Sequence, residues 1–325
     1  ESQIWPYEEK FGVRFRVTCK SVKFRLQAPI DSADGPLAQI EPYFTTLALY
    51  DASSGCKISE DFIFDLNNSF ARSLLAKNKK KDERNRESKD GSNFTPVPLQ
   101  LAGVPEEWLA YPKQAMMSVQ NPHSEIYLVM KIEKVLQGST SQSAEPYIKN
   151  PDLKTLQKLT KTIKTCCQRL GEFRMLFGWC ARPVFKANGE IDSSVQFSSI
   201  YKSEEKRTSE AEILKLLNDF KKPEKMNKLT VIPGSVSIEV SSAHHTLPNS
   251  VTSALEPVKP FPNPPTHEPT IEVQEFLGTH VDFIHPYISF RNHLYLYPKF
   301  LNYENQKSFS RARNLVCMIE LRDTD

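Results

Sequence analysis

The sequence predicts a mainly β protein with α-helical insertions, and three observations support that prediction. Apolar and polar residues alternate along several short segments within residues 10–138, which is typical of half-buried strands. The spacing of apolar residues then changes to three and four over 153–170 and 209–220, which indicates amphipathic helices. Alternation returns near the C-terminus, in two segments that a basic loop separates.

The first predicted domain, residues 1–138, is an antiparallel β-sandwich with a long insertion. The alternating segments that define its strands are 13–18, 22–26, 43–50, 62–66, 116–119 and 126–133. Between about 67 and 112 the alternation stops, and a charged run occupies the middle of the gap. We expect this insertion to be mostly disordered, with short helical pieces at 69–76 and around 106–109.

The second predicted region, residues 139–290, mixes helices and strands. A helix over 153–170 has Asp152 as its N-cap and Gly171 at its end. A Ser209/Glu212 capping box opens a second helix, and Pro223 bars its continuation. Extended segments are predicted at 174–185, 236–240 and 271–276. The stretch 247–269 carries seven prolines and is predicted to be an extended connector.

The third predicted region, residues 291–325, contains two strands at 291–298 and 314–321. The loop between them carries Lys307, Arg311 and Arg313, with an apolar residue among the cations. Strand, long basic loop and strand is how a membrane-binding β-sandwich of the C2 type begins, and two strands cannot close a sandwich. We therefore expect the chain to be a slice of a larger protein. The three cations are candidate lipid-binding residues, and the alternative is a basic rim on an ordinary sandwich.

Composition limits the classes of partner. Lys and Arg total 42 against 39 acidic residues, for a formal charge of +3. The segment 77–90 holds seven basic and four acidic residues, so it alone accounts for that charge. The rest is balanced, which argues against nucleic acid as a partner. The segment itself fits a solvated loop better than a nuclear signal or a lipid contact, because acids interrupt it and it has no aromatic residue.

No catalytic, cofactor or metal site is predicted. None of the six cysteines forms a C-x-x-C pair, and the seven histidines complete no metal pattern. Phosphate-binding and nucleophile-elbow motifs are absent from the sequence. Asp51, Asp61 and Asp65 stand near predicted strand ends, where calcium-binding sandwiches place ligands, but Asp51 fits a turn better. We expect a cytosolic protein with reduced thiols, because no signal peptide or membrane span is visible.

Several segments resemble the dedicator-of-cytokinesis (DOCK) guanine nucleotide exchange factors, most closely their zizimin or D subfamily. The matching stretches include YFTTLALYD at 43–51, NPHSEIYLVMKIEKVLQG at 121–138 and NHLYLYP at 292–298. Shorter matches are 57–62, 65–67, 167–171, 214–217, 222–226, 306–309 and 312–314. The resemblance covers most of the chain.

That resemblance implies a position and a role. In the family this region follows a pleckstrin-homology domain and runs into the first DOCK-homology region, a C2-like domain that binds phosphoinositides. Residues 291–325 would open that domain; Arg313 matches its basic loop position best, whereas Lys307 and Arg311 match only by lying in the same loop. The fold class is then an antiparallel C2-like β-sandwich, a mixed α/β connecting region, and the opening strands of a second C2-like sandwich.

The implied function is that of a noncatalytic scaffold. The family's exchange activity on Cdc42, and in some members Rac, belongs to a C-terminal helical region that this chain lacks. The implied partners are other domains of the parent chain, a Rho-family GTPase through that absent region, and an anionic phosphoinositide membrane, with cytoplasmic location and recruitment to the plasma membrane. The alternative is a self-standing adaptor that binds a protein or peptide along a sheet edge.

Overall fold

The structure is a computed structural model that describes residues 12–27, 39–75, 104–149, 153–243, 247–258, 267–276, 296–300, 316 and 318–319. The chain divides into two units, Glu1–Leu277 and Gly278–Asp325. In the second unit the described residues belong to no regular secondary structure. The described residues of the two predicted terminal strands, 296–298, 316 and 318–319, are therefore not in strands, and the other residues of these predicted strands lie outside the described part. The opening of a second sandwich stays a prediction.

The described part of the first unit contains twelve strands and six helices. The strands are β1 Val13–Phe24, β2 Tyr43–Asp51, β3 Cys56–Lys57, β4 Phe62–Phe64, β5 Gln114–Val119, β6 Ile126–Val135, β7 Arg174–Pro183, β8 Ile200–Lys202, β9 Val231–Ile232, β10 Gly234–Ser242, β11 Ser250–Thr252 and β12 Thr270–Val273. The helices are α1 Ser69–Leu75, α2 Glu106–Ala110, α3 Thr140–Ile148, α4 Leu153–Leu170, α5 Glu210–Phe220 and α6 Pro223–Met226.

Two sheets pack face to face around one apolar core. Sheet A has the order β10-β1-β5-β12-β11, and sheet B has the order β3-β2-β6-β7-β8-β9, with β4 also paired to β2. Phe15 and Val17 of sheet A meet Leu47 and Leu128 of sheet B in this core, all of them fully buried. The predicted mainly β sandwich with helical insertions is confirmed.

The outer face of sheet B carries a second apolar layer. Trp179 on β7 and Tyr50 on β2 pack with Leu217 of α5 and Met226 of α6. The capping box at Ser209 is present, with the side chain accepting from the Glu212 amide, so the predicted start of α5 is confirmed. Helix α5 ends at Phe220, before Pro223, and Pro223 stands at the first turn of α6, where a missing N–H costs nothing.

Strand β1 differs from its prediction for a local reason. The sequence suggested two strands, at 13–18 and 22–26, but a single strand runs through both. A β-bulge at Lys20 inserts one residue between the Cys19 and Ser21 pairs with β10. Because one extra residue reverses the alternation of faces, the core side chains change from odd positions such as Val17 to even positions such as Phe24.

The predicted division at residue 138 does not match the strand pairing. Strand β7 pairs with β6, β10 with β1, and β12 with β5, so strands from 174–273 complete both sheets of the sandwich. Sheet A is also mixed rather than purely antiparallel, since β12 runs parallel to both β5 and β11. Local alternation identifies strands but not their distant partners, which is why the sequence suggested a separate region.

Candidate interaction surface

The lipid-binding residues predicted from the sequence, Lys307, Arg311 and Arg313, lie outside the described residues. The charged run 77–90 also lies outside them. The structure tests neither prediction. The described sandwich and its helices form other surfaces that are candidates for a functional role.

The aspartates considered as calcium ligands serve local roles. Asp51 accepts the Ser53 amide at 2.8 Å as a turn residue, as predicted. Asp61 pairs with Lys57 at 3.0 Å, and Asp65 accepts the backbone amide two residues further on at 2.7 Å. Within the described residues, no three His, Cys, Asp or Glu side chains are grouped to hold a metal ion.

A buried polar cluster lies at one end of the sandwich core. Glu41 accepts hydrogen bonds from Lys134 Nζ at 2.7 Å, Tyr147 Oη at 2.6 Å and Gln137 Nε2 at 2.9 Å. Burial and then the charge of Glu41 hold the pKa of Tyr147 well above its ordinary value, so the phenol keeps the proton that it donates. Lys134 is fully buried and Glu41 nearly so, and no substrate could reach them. The cluster is structural.

A groove of about 1010 Å³ lies between α1, α4 and the start of β7. We call it the α1/α4 groove. Its floor includes the buried Ile163 of α4, and its walls include the half-exposed ring of Phe70. Lys164 and Arg169 stand on its α4 side. Its lining is thus apolar within and cationic at one rim.

A second groove, of about 980 Å³, lies on the other side of the segment 172–174. We call it the β6/β7 groove. Its lining mixes charges of both signs, with Lys131, Glu133 and Arg207 among its residues. Glu172, Phe173 and Arg174 line both grooves and form a ridge between them, which we call the Phe173 ridge. At its crest, Phe173 is 40% exposed.

Backbone bonds and stacking hold the Phe173 ridge in place. The Phe173 amide donates to the Leu170 carbonyl at 2.9 Å, and its own carbonyl accepts from the Leu136 amide at 2.8 Å. The Arg174 guanidinium lies 3.8 Å from the centre of the Phe44 ring. Gly171 is required at the turn before the ridge, because a Cβ there would approach the backbone oxygen at the end of α4 to 2.7 Å. The exposed ring is therefore presented on a rigid support.

Helix α4 has a cationic outer face. Its five basic residues, Lys154, Lys158, Lys161, Lys164 and Arg169, are all exposed, and the helix contains no acidic residue. The opposite face packs against sheet B and α1. The apolar spacing in the sequence predicted the helix but not its charge, because basic and acidic residues were balanced over the whole chain and not over this helix. The signal was the absence of any acid over 153–170.

Strand β10 forms one edge of sheet A. It pairs with β1 along one side, and within the described residues no strand pairs its other side. Ser235, Ser237 and Glu239 on its outer face are exposed. The strand contains no proline and no lysine, the residues that often block an edge against further pairing.

Among the described helices, none is long and apolar enough to cross a bilayer. The described cysteines, including the exposed Cys56, are free thiols.

Similarity to known proteins extends over the whole chain or nearly all of it. No protein-family model matches. The chain is 42% identical over 335 residues to dedicator of cytokinesis protein 11 of Danio rerio, and 42% identical over 328 residues to dedicator of cytokinesis protein 9 of Homo sapiens. Both alignments cover 100% of this chain and 16% of the relative. Dedicator of cytokinesis protein 6 of Mus musculus is 30% identical over 363 residues, covering 97% of this chain and 16% of that protein.

The chain thus spans about a sixth of the length of these relatives, and each of the two alignments covers the whole chain. The resemblance drawn from the sequence motifs is confirmed. The chain belongs to the dedicator of cytokinesis family, in its zizimin subfamily.

Proposed function

We propose that the chain is a noncatalytic scaffold segment of a Rho-family guanine nucleotide exchange factor that acts on Cdc42 or Rac. In this proposal the exchange region lies elsewhere in a longer polypeptide, and residues 291–325 lead into a phosphoinositide-binding C2-like domain. Lys307, Arg311 and Arg313 contact the lipid in that domain. The protein is cytoplasmic and is recruited to the plasma membrane.

The Phe173 ridge is the observation that best supports a scaffold role. An exposed aromatic ring on a rigid support, flanked by two grooves and by charges of both signs, has the composition of a protein interface centre with a polar rim. The half-exposed Phe70 adds a second aromatic ring across the α1/α4 groove. Burying an exposed aromatic ring away from water is favourable, so a partner that covers Phe173 would gain binding free energy.

The occupant that we propose for these grooves is another domain of the same polypeptide. The relatives are about six times longer than the aligned segment, which supplies several neighbouring domains at high effective concentration. An interdomain contact of this kind is typically modest in area and partly polar, which fits the charges of the β6/β7 groove.

Cross-linking mass spectrometry of the longer polypeptide tests this proposal. We expect Lys164 of the α1/α4 groove and Lys206 of the β6/β7 groove to cross-link to residues outside 1–325, and Phe173→Ser to weaken those cross-links. Ile63→Ser is the matched control, because Ile63 is also a large exposed apolar residue but lines neither groove. An absence of such cross-links in the wild type, or equal losses in both variants, would contradict interdomain docking here.

Nucleotide release tests the noncatalytic part of the proposal. We expect this chain alone to leave release of labelled nucleotide from Cdc42 and Rac at its spontaneous rate, with a DOCK C-terminal exchange region as the positive control. Stimulated release by the chain at low micromolar concentration would show that it carries exchange activity.

A second candidate function, a self-standing adaptor, is favoured by the β10 edge. An extended peptide could add as a strand beside β10, with main-chain hydrogen bonds giving affinity. Binding would then reside within 1–290 and would be blocked by Val236→Pro, since proline there removes a hydrogen-bond donor that points away from β1. The Ser237 N–H points toward β1, because the bond from the Ala243 amide to the Arg14 carbonyl sets the alternation along β10. Retention of ligand by that variant, once shown to be folded, would exclude the edge.

A further inference from the structure

Helix α4 presents its charges on one side. Lys154, Lys158 and Lys161 follow the i, i+4, i+7 spacing of a single helix face, with Lys164 and Arg169 beside them. We propose that this cationic face is a membrane-contact surface that adsorbs to anionic lipid headgroups. It is distinct from the residues predicted in the terminal loop. Lys154, Lys158 and Lys161 line neither groove, whereas Lys164 and Arg169 also line the α1/α4 groove that the scaffold proposal assigns to another domain.

The first support is that these charges are uncompensated. None of the five side chains pairs with a carboxylate in the part of the chain that the structure describes. Some surface lysines elsewhere pair with carboxylates, as Lys20–Glu239, Lys149–Glu145 and Lys221–Glu125 show. Five like charges on one helix repel one another, and an external polyanion relieves that repulsion.

The second support is the chemistry of the face, which favours a lipid surface over an acidic protein. Four of the five cations are lysines, which act as hydrated point charges, whereas protein carboxylates are preferentially recognised by the planar fork of arginine. Between the lysines stand Gln157, Thr162 and Thr165, and none of the α4 side chains that the structure describes is an exposed aromatic or large apolar residue that could anchor a protein partner. Lipids diffuse within the membrane, so several anionic headgroups can come into contact with the exposed lysines at once.

The third support defines the mode of contact. The apolar side of α4 is already occupied, since Ile163 and Cys167 are buried against Val135 of β6, with Leu74 and Leu75 of α1 beside them. Among the side chains that the structure describes, the apolar residues of α4 are therefore packed in the protein and not free to insert among acyl chains, unlike those of a typical interfacial helix. The contact is electrostatic, and it must weaken as salt shortens the Debye length from about 10 Å at 0.1 M to about 3 Å at 1 M.

Vesicle sedimentation with the 325-residue chain tests this inference. The probe is phosphatidylcholine vesicles with and without phosphatidylserine, at low and high salt. We expect binding only to the anionic vesicles and only at low salt. The variant Lys154→Gln/Lys158→Gln/Lys161→Gln should bind about a hundredfold less tightly, because each of the three lysines near an anionic surface is worth about a fivefold factor. Glutamine preserves helix propensity, and these positions line neither groove.

The matched control is Lys186→Gln/Lys215→Gln/Lys228→Gln, which removes the same charge from exposed lysines that lie outside α4. We expect it to retain affinity within about twofold. Equal losses in both triple variants would overturn the inference in favour of diffuse net charge. Binding that persists in the α4 variant but disappears in Arg311→Glu/Arg313→Glu would assign the lipid contact to the terminal loop alone.

Two further outcomes would contradict the proposed contact of α4 with lipid. If the wild type ignores anionic vesicles but binds poly-glutamate through α4, the face is a protein-docking surface. If wild-type binding survives high salt, the contact is not electrostatic. The salt titration uses the wild-type chain, so it tests whether the contact is electrostatic even if the triple variant fails to fold.

Discussion

Lys134 Nζ lies 2.7 Å from Glu41 Oε1, and both side chains are almost completely buried. The pair joins the end of β6 to the segment that leads into β2, over a sequence separation of 93 residues. Lys134 also donates to the Ser143 carbonyl of α3 at 3.0 Å, and its ammonium lies 4.7 Å from the centre of the Phe177 ring. One charge pair thus connects β6, the start of β2, and α3.

Replacing Lys134 with Met should destabilise the first unit by about 3 to 5 kcal/mol, because Glu41 would remain as a buried charge without its counter-ion. The double variant Lys134→Met/Glu41→Gln should recover part of that loss, since no charge then stays buried. Urea unfolding followed by circular dichroism measures both. The control is Lys20→Met, which breaks a pair of similar length, 2.7 Å, at the surface, and should change little. A similar small effect at Lys134 would contradict the cluster's structural role.

Glu275 predicts a pH dependence of stability. Burial raises its pKa from 4.5 to about 7, against the lowering effect of the Gln120 amide that donates to the carboxylate. Between these values the folded state holds a proton that the unfolded state has lost, so stability falls as pH rises from about 4.5 to 7. Glu275→Gln keeps an acceptor for that amide and removes the titration.

Thermal melts at about pH 5 and about pH 8 test this sign. Glu275→Gln should match the wild type at the lower pH and exceed it at the higher pH. Glu239→Gln is the control, because that carboxylate is exposed and its pKa is lowered by the hydrogen bond from Lys20. A wild-type midpoint that rises over this range with no benefit from Glu275→Gln would contradict the prediction.

Local signals in the sequence were sufficient for four of the six described helices and for most of the described strands. Apolar spacing and the Ser209 capping box correctly predicted α4 and α5. Helix α3 was missed although Ser139 and Gln142 form the same type of box, because Pro146 stands inside it. Proline normally ends a helix, so the pattern was not interpreted as one.

Long-range relationships could not be predicted. Lys134 shares its strand face with Ile132 and Met130, so alternation places a charge in the core, yet nothing local identifies Glu41 as its partner. The parallel position of β12 beside β5 is likewise set by a partner more than 150 residues away, as in Ile271 with Ala115. The Phe173 ridge follows from the same cause, because its grooves form only when α1, α4 and β7 are assembled.

Deleting 77–90 should leave the thermal midpoint nearly unchanged. The segment is highly charged and contains no large apolar residue, so it has little to bury, and shortening a long loop slightly lowers the entropy of closing it. Differential scanning calorimetry of both forms is the measurement. A replacement of 77–90 by a Gly/Ser stretch of equal length separates loop length from composition. A clearly lower midpoint in both changed forms would mean that the charged residues themselves contribute contacts.

Reversing Arg311 and Arg313 to Glu should weaken binding to polyphosphoinositide vesicles by about tenfold or more, because each cation near an anionic surface contributes about 1 kcal/mol and reversal adds repulsion. The protein for this test is a longer polypeptide that completes the second predicted sandwich, since two strands alone leave an edge prone to aggregate. The loss should shrink in high salt. Lys186→Glu/Lys228→Glu is the matched control for net charge, because both lysines are exposed in the first unit. Unchanged binding by the Arg311/Arg313 variant, in a protein shown to be folded, would remove these two residues from the phosphoinositide site. It would leave the adaptor function, through the β10 edge, as the stronger proposal.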